Sequence, residues 1–320
     1  MATNLSLAQG LFNANQRVIS QWDGMYKSAK VGNYSDYTQT IDAQGEMRIE
    51  INFLTNHPVM RKFTGARHYK AMRHYSQSIT YDPYEATFAL KRDWVEHDQT
   101  GTVNAAIDTA LGYQISAVDK AVVTAFDASS GAGPTGFDTV ALFSASHPHA
   151  NGGGTQSNFG SGTALSHANL VAAEYGGMLL THENGEPANI TYTKMRVGPK
   201  LKRRAQELLG ADRVQTATAA SLYDAGASAV AAATRSNVFQ GDMSLMVDDR
   251  VTTFYWDLFD ETKEGKAMIL FMVKPPEPVM RFDPADPHVF EHREFIWGLD
   301  GEWGVAAGHW LSCYRGSGTA

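Results

Sequence analysis

A run of alternating residues between Tyr75 and Trp94 constrains this chain more than anything else in it. Tyr75, Gln77, Ile79 and Tyr81 occupy every second position, and Asp82-Pro83 interrupts them. Tyr84, Ala86, Phe88, Leu90, Arg92 and Trp94 then resume the spacing against Glu85, Thr87, Lys91 and Asp93. Period two, with aromatic and β-branched residues around an Asp-Pro break, predicts a two-stranded ribbon within residues 61–98. Only one side of each strand is apolar, and a ribbon of two strands is barely stable alone. It must therefore lie on something else, either its own domain or another molecule.

The next strong signal is helical. Val103, Ile107, Ala110, Leu111, Ile115, Val118, Ala121, Val122, Ala125 and Phe126 recur at steps of three and four. They predict one amphipathic helix over 102–126, roughly 38 Å long at 1.5 Å per residue. Gly112 inside it costs about 1 kcal/mol against Ala. Before the ribbon, the first 45 or so residues are weakly patterned, with Tyr26, Tyr34 and Tyr37 among glycines, and read as an extended arm with one short helix.

After the helix, residues 128–164 are rich in Ser, Gly and Asn, and Val140 to Phe143 predicts one short strand in a loop. Ser166 is placed to cap a helix from His167 to about Thr181. Ile190, Tyr192 and Val197 mark a strand, and Gly198-Pro199 opens a helix that Gly210 ends. Strands are expected at 243–251, 253–258 and 267–273, the last stopping at Pro275-Pro276. Two more are expected at 289–297 and 305–314. The total is an α+β chain.

Composition narrows the function. With 43% hydrophobic residues the chain folds, and its formal charge of -7 lacks the basic footprint of a nucleic-acid binder. Charged residues are only 19%, which suits a protein that buries surface against neighbours. The single cysteine, Cys313, excludes an intrachain disulfide. No run approaches the ~20 apolar residues of a membrane span, and the N-terminus lacks a basic-then-apolar leader. A protein made in the cytosol is the expectation.

Candidate chemistry is sparse. Gly131-Ala132-Gly133-Pro134-Thr135-Gly136 fits a dinucleotide-binding spacing, but it follows a helix and contains a proline, so it reads as a turn. His147-Pro148-His149 lacks further ligands at zinc spacing and reads as a surface turn. His167 and His182 add nothing at useful spacing. Lys200, Lys202, Arg203 and Arg204 read as a solvated helical face. Asp248-Asp249 and Asp257 to Glu261 select no acid/base pair, no G-x-S-x-G elbow exists, and Cys313 reads as a small buried side chain. Arg61, Lys62, Arg67, Lys70 and Arg73, with His68 and His74, form the one dense positive cluster. Its bland reading is a solvated face; its sharper reading is contact with acidic patches on a neighbouring subunit. No catalytic residue, cofactor or metal is expected.

Several stretches resemble the major head subunit family of Mu-like tailed phages. Ala89-Leu90-Lys91-Arg92-Asp93-Trp94-Val95-Glu96-His97-Asp98, with Gly101, looks like that family's strand-to-helix junction. Leu142-Phe143-Ser144-Ala145-Ser146-His147-Pro148 looks like its "lFs..HP" signature. Ile190 to Val197 with Gly198-Pro199 and the helix carrying Ala205 and Leu208-Leu209 resembles its central unit, and Val305-Ala306-Ala307-Gly308-His309-Trp310 its terminal stretch. Two departures are His97-Asp98, where the family more often has two acids, and the Ala-rich 216–234 stretch, which looks like an insertion. The resemblance implies the Hong Kong 97-type capsid fold: N-terminal arm (1–60), extended β-hairpin loop (61–98), peripheral domain with a long spine helix (99–160 and 275–320) and axial domain (161–274). It implies a shell protein that assembles with itself as hexamers and pentamers, with scaffold, portal and decoration partners. DNA would be contacted only weakly and no membrane would be involved. Such a protein resides in the virion and is made in the host bacterial cytoplasm. Arg67, Arg73, Tyr81, Tyr84, Phe88 and Trp94 are the expected subunit contacts. An encapsulin-like compartment, a metal enzyme using the histidine pairs, and another virion structural protein such as a tail or decoration component are the alternatives.

Overall fold

The computed structural model describes residues 33–43, 45–65, 67–96, 102–149, 154–215, 234–281, 283 and 286–318. The first 32 residues of the expected arm and nearly all of the Ala-rich stretch lie outside them. In chain order the elements are β1 (Thr38–Asp42), β2 (Arg48–Thr55), β3 (Arg73–Thr80), β4 (Asp82–Lys91), α1 (Arg92–Glu96), α2 (Thr102–Ile115), α3 (Ala117–Ala128), β5 (His147–Pro148), β6 (Thr155–Gln156) and β7 (Phe159–Ser161). There follow α4 (His167–Met178), β8 (Lys194–Val197), α5 (Lys202–Gly210), β9 (Arg213–Gln215), β10 (Thr234–Ser236), β11 (Ser244–Val247), β12 (Tyr255–Phe259), β13 (Met268–Arg281), α6 (Pro287–His292), β14 (Glu294–Ala307) and β15 (Cys313–Ser317). Two sheets organise them: a long one in the order β1-β13-β14-β4 and a five-stranded one in the order β11-β8-β12-β15-β7.

Both alternating segments are strands, but they do not pair with each other. β3 pairs with β2, from Arg48 opposite Thr80 to Thr55 opposite Arg73. β4 pairs with β14, from Lys91 opposite Glu294 to Asp82 opposite Trp303. The ribbon therefore spans 48–80. Only Tyr81 separates β3 from β4, too little chain for the two-residue loop that a tight hairpin uses. Pro83 is tolerated because β4 is the edge of its sheet, where a missing N–H costs nothing.

The expected spine helix forms in two pieces. Ser116 interrupts it with ψ of 0°, and its hydroxyl donates to the Tyr113 carbonyl at 2.8 Å. Bonds from Ser116 N–H to the Gly112 carbonyl (3.4 Å) and from Lys120 N–H to the Ser116 carbonyl (3.0 Å) carry the ladder across the break. Serine competes for backbone carbonyls in this way, which loosens a helix locally. Val118, Val122 and Phe126, four residues apart, are buried on one face of α3. Phe126 meets Phe143 edge-on at 5.2 Å, and Tyr37 stacks on Phe259 at 5.0 Å.

Under this aromatic group lies an ionic cluster. Arg196 and Arg315 are fully buried. Arg196 donates to Asp248, Asp127 and Asp257 at 2.9–3.0 Å, and Arg315 donates to Asp257 at 2.6 and 3.1 Å. Arg315 also lies 4.1 Å over the Phe143 ring. Asp248 and Asp257 are among the acids the sequence left without a role. Burial, the largest influence on Tyr37, pushes its hydroxyl up, against the lowering effect of Arg196.

Three further expectations need correction. β13 does not stop at Pro275-Pro276 but runs to Arg281, with register shifts on either side of Lys274. Its partner β1 ends at Asp42 opposite Met272, so the prolines stand where one edge of β13 is already unpaired. The segment from Val289 is not all strand: Asp286 caps α6, its side chain accepting from His288 N–H at 2.9 Å with Pro287 at the first position. Val140–Phe143 forms only an isolated bridge at Ala141, with Leu142 and Phe143 pointing into the core. By contrast Ser166 caps α4 as expected, accepting from Asn169 N–H at 3.2 Å, and Pro199 opens the helical turn leading to α5. Cys313 is a buried free thiol, pushed up chiefly by burial.

Candidate subunit interface

The ribbon's root rests on its own body. Phe53 stacks on Phe137 at 4.7 Å and Tyr75 tilts against the same ring at 5.5 Å. Glu183, in the turn after α4, accepts from the Tyr75 hydroxyl at 2.9 Å and from the Thr55 hydroxyl. Gln77 donates to the Thr135 carbonyl at 3.0 Å. The alternation of β2 and β3 explains this: Ile49, Ile51, Phe53 and Tyr81 lie on one side, against Ile79, Ile269 and Phe271.

The ribbon's tip, residues 56–72, is different. Met60 is 99% exposed, Tyr69 97% and Phe63 69%. Lys62, Arg67 and Lys70 are exposed between them. Large apolar side chains this open, set together at the end of a projecting element, mark an interaction surface. Sequence reasoning missed Met60, Phe63 and Tyr69, because the tip has no periodicity to read.

The six expected contact residues are dispersed. Arg67 is on the tip, and Arg73 opens β3 with its guanidinium 3.3 Å from the Tyr75 hydroxyl. Tyr81 packs against the small cluster around Ile79 and Phe271. Tyr84 lies flat on Trp303 at 4.2 Å, and Phe88 stands 6.0 Å from Trp297, both on the long sheet. Trp94, on α1, is 59% exposed, with the Lys91 ammonium 5.8 Å from its ring. The structure brings Tyr84 and Phe88 onto one strand and keeps them apart from Arg67 and Arg73.

His147 is not on a surface turn. It is fully buried, stacked on Trp310 at 4.1 Å, with Nδ1 2.6 Å from Asp138 and Nε2 3.1 Å from the Asn158 side-chain oxygen Oδ1. The Asn158 amide is oriented by donating to the Leu142 and Trp310 carbonyls. This fixes the "lFs..HP" stretch to the C-terminal segment. His149 instead reaches the His182 carbonyl at 3.0 Å. A cavity of about 180 Å³ lies between ribbon root and body, bordered by His57, His149, His182 and His309. His309 is pushed down to about 4, first by burial and then by His182, with Asp138 opposing. His182 is lowered by burial, Lys263 and His57. No group of His, Cys, Asp or Glu suited to a metal occurs among the described residues. The glycine-rich 131–136 stretch turns directly off α3, with Gly133 N–H on the Ala128 carbonyl at 2.8 Å. Lys200, Lys202, Arg203 and Arg204 are exposed, as expected.

These features define a capsid-subunit fold, and comparison with solved structures supports that directly. The JBD30 bacteriophage procapsid subunit superposes with a TM-score of 0.52 at 14% identity, over 97% of this chain and 76% of that one. The cyanophage Pam1 capsid subunit gives 0.53 at 11% identity, over 88% and 90%. The subunit of the JBD30 capsid gives 0.52 at 12% identity over 89% of this chain, which spans 64% of that longer one. No curated protein sequence matches significantly. Residues 16–164 match the family described as Mu-like prophage major head subunit gpT. The resemblance to the Mu-like major head subunit family is therefore borne out over that stretch. The Hong Kong 97-type α+β fold is likewise borne out.

Proposed function

We propose that this chain is the major capsid protein of a tailed phage, self-assembling into the icosahedral head shell around double-stranded DNA. The observation that carries this is the contrast within one ribbon: a root docked on its own body and a tip whose Met60, Phe63 and Tyr69 are open to water. Exposed apolar area of this kind is costly in a free monomer and favourable once covered. In this reading 48–80 is the extended loop, α2 and α3 are the spine of the peripheral domain with the long sheet, and the five-stranded sheet with α4 and α5 forms the axial domain. The axial domains would meet as hexamers and pentamers, with scaffold, portal and decoration proteins as further partners. The protein would be made in the host cytoplasm and reside in the virion. Tyr84, Phe88 and Trp94 would add contacts along the edge strand, and Arg67 and Arg73 along the ribbon. Catalysis has no part in it.

Weak contacts repeated over many identical copies suffice to close a shell. The net charge of -7 would keep the shell from gripping the genome. Electron microscopy of the purified full chain tests the proposal: closed shells or capsomers support it, and a monodisperse monomer at all concentrations overturns it. A filter-binding assay in physiological salt should find no tight duplex-DNA binding.

A further inference from the structure

The connection between the two longest strands carries two histidines that face each other. α6 joins β13 to β14 at the end of the long sheet where Arg281 pairs with Ile296. Six residues are too few for a helix to persist alone, so contacts at its ends must fix it. Asp286 caps its start and accepts from the Arg281 guanidinium at 2.8 and 2.9 Å. Val289 is buried. Arg293 ends the helix in the left-handed region, its N–H on the Val289 carbonyl at 3.0 Å and its guanidinium on Asp93 of α1 at 3.0 Å.

His288 and His292 lie four residues apart on this helix and so share one face. Their ring centroids are 4.5 Å apart, with the planes at 44°. His292 is exposed and His288 is half-buried. No hydrogen bond joins either ring nitrogen to a described residue, whereas the rings of His74, His147 and His149 are each held by one. Two imidazoles at this helical spacing can grip one metal ion together. The run His288-Val289-Phe290-Glu291-His292 has the H-x-x-E-H form in which zinc-binding helices place them. We propose that His288 and His292 chelate one divalent ion of the zinc, nickel or copper class. The ion ties the first turn of α6 to its last and so pins the β13–β14 connection. Imidazole ligands suit these ions and not magnesium or calcium. Among the described residues no third His, Cys, Asp or Glu converges on the pair, so the ion keeps open positions for water and is held less tightly than in a closed four-ligand centre. The role is binding alone, with no hydrolysis. It does not depend on the shell reading.

Titration of the full-length chain with the metals alone tests it. Calorimetry with Zn²⁺ should show a site that His288→Gln or His292→Gln weakens at least tenfold. Phe290→Ala, an exposed position on the same helix, should leave that site unchanged, which separates loss of a ligand from loss of the helix. Cu²⁺ should bind more tightly than Zn²⁺, and Mg²⁺ should not compete. Zn²⁺ should also slow hydrogen exchange of the amides over 288–293 in the parent and in neither histidine variant. The histidines at the ribbon root supply the contrary result: zinc binding lost in His149→Gln or His182→Gln but kept in both α6 variants overturns the site. Absence of zinc binding by the parent, or exchange over 288–293 that zinc leaves unchanged, overturns it equally.

Discussion

The two sheets of this protein satisfy their strands in opposite ways. In the five-stranded sheet, consecutive residues are buried: Met195, Arg196 and Val197 on β8, and Trp256, Asp257 and Leu258 on β12. Both faces are covered by the same chain, and even the charges are paired internally. In the long sheet, β4 and the outer half of β13 are buried on alternate residues at best. Its ribbon neighbour ends in side chains with nothing beneath them. The first sheet is complete in one subunit, and the second has an open face. Stability and assembly therefore reside in different parts of one chain, and substitutions should separate them.

The largest effect is expected at the closed sheet. Asp257→Ala leaves Arg196 and Arg315 short of a shared partner inside the core, and breaking such a buried pair costs about 3–5 kcal/mol. Thermal unfolding should show a drop of about 4–8 °C at this chain length, and assembly should fail only because folding does.

Next comes acid. His309 has a folded value of about 4, below the ordinary 6.5, so it prefers to stay neutral in the fold. Between those values the unfolded chain binds more protons, so stability rises with pH across the window. It is complete above about 6.5 and lost progressively toward 4, by about 3 kcal/mol in total. His182 shifts in the same direction. Melting temperature against pH checks this, and His309→Gln should flatten the slope between 6.5 and 4.

Smaller is the ribbon root. Phe137→Ala removes the ring on which Phe53 and Tyr75 rest, at about 2 kcal/mol for a half-buried aromatic. Hydrogen exchange should show faster opening of β2 and β3 with the five-stranded sheet unchanged. Smallest for the fold, and decisive for assembly, is the tip. Met60→Ser with Phe63→Ser should shift the stability of the isolated chain by no more than about 0.5 kcal/mol yet abolish shells.

Much of this architecture was legible from residue spacing, and what was not has a common cause. The 3.6-residue period located the spine helix, and Ser166 and Gly198-Pro199 marked helix starts by the hydrogen-bond chemistry of their ends. Period two located β3 and β4 and their apolar sides. It could not name their partners, because alternation reports which face is covered and not by which strand. So the ribbon was paired with the wrong neighbour. The Asp286-Pro287 start of α6 was present as a cap signal but lay beside an apolar run that also fits a strand. His147 looked like a surface residue because its partners, Asp138, Asn158 and Trp310, are brought together only by the fold. The tip's apolar residues had no period at all, which is what a segment shaped by another molecule would show.

The central claim is that the tip of the ribbon finds its cover on a different copy of the chain. Cryo-electron microscopy of assembled particles at side-chain resolution measures this most directly. The expected result is density for residues 56–72 running onto an adjacent subunit, with Met60 and Phe63 shielded from solvent. A shell in which those residues fold back on their own subunit, or project into solvent untouched, would contradict it.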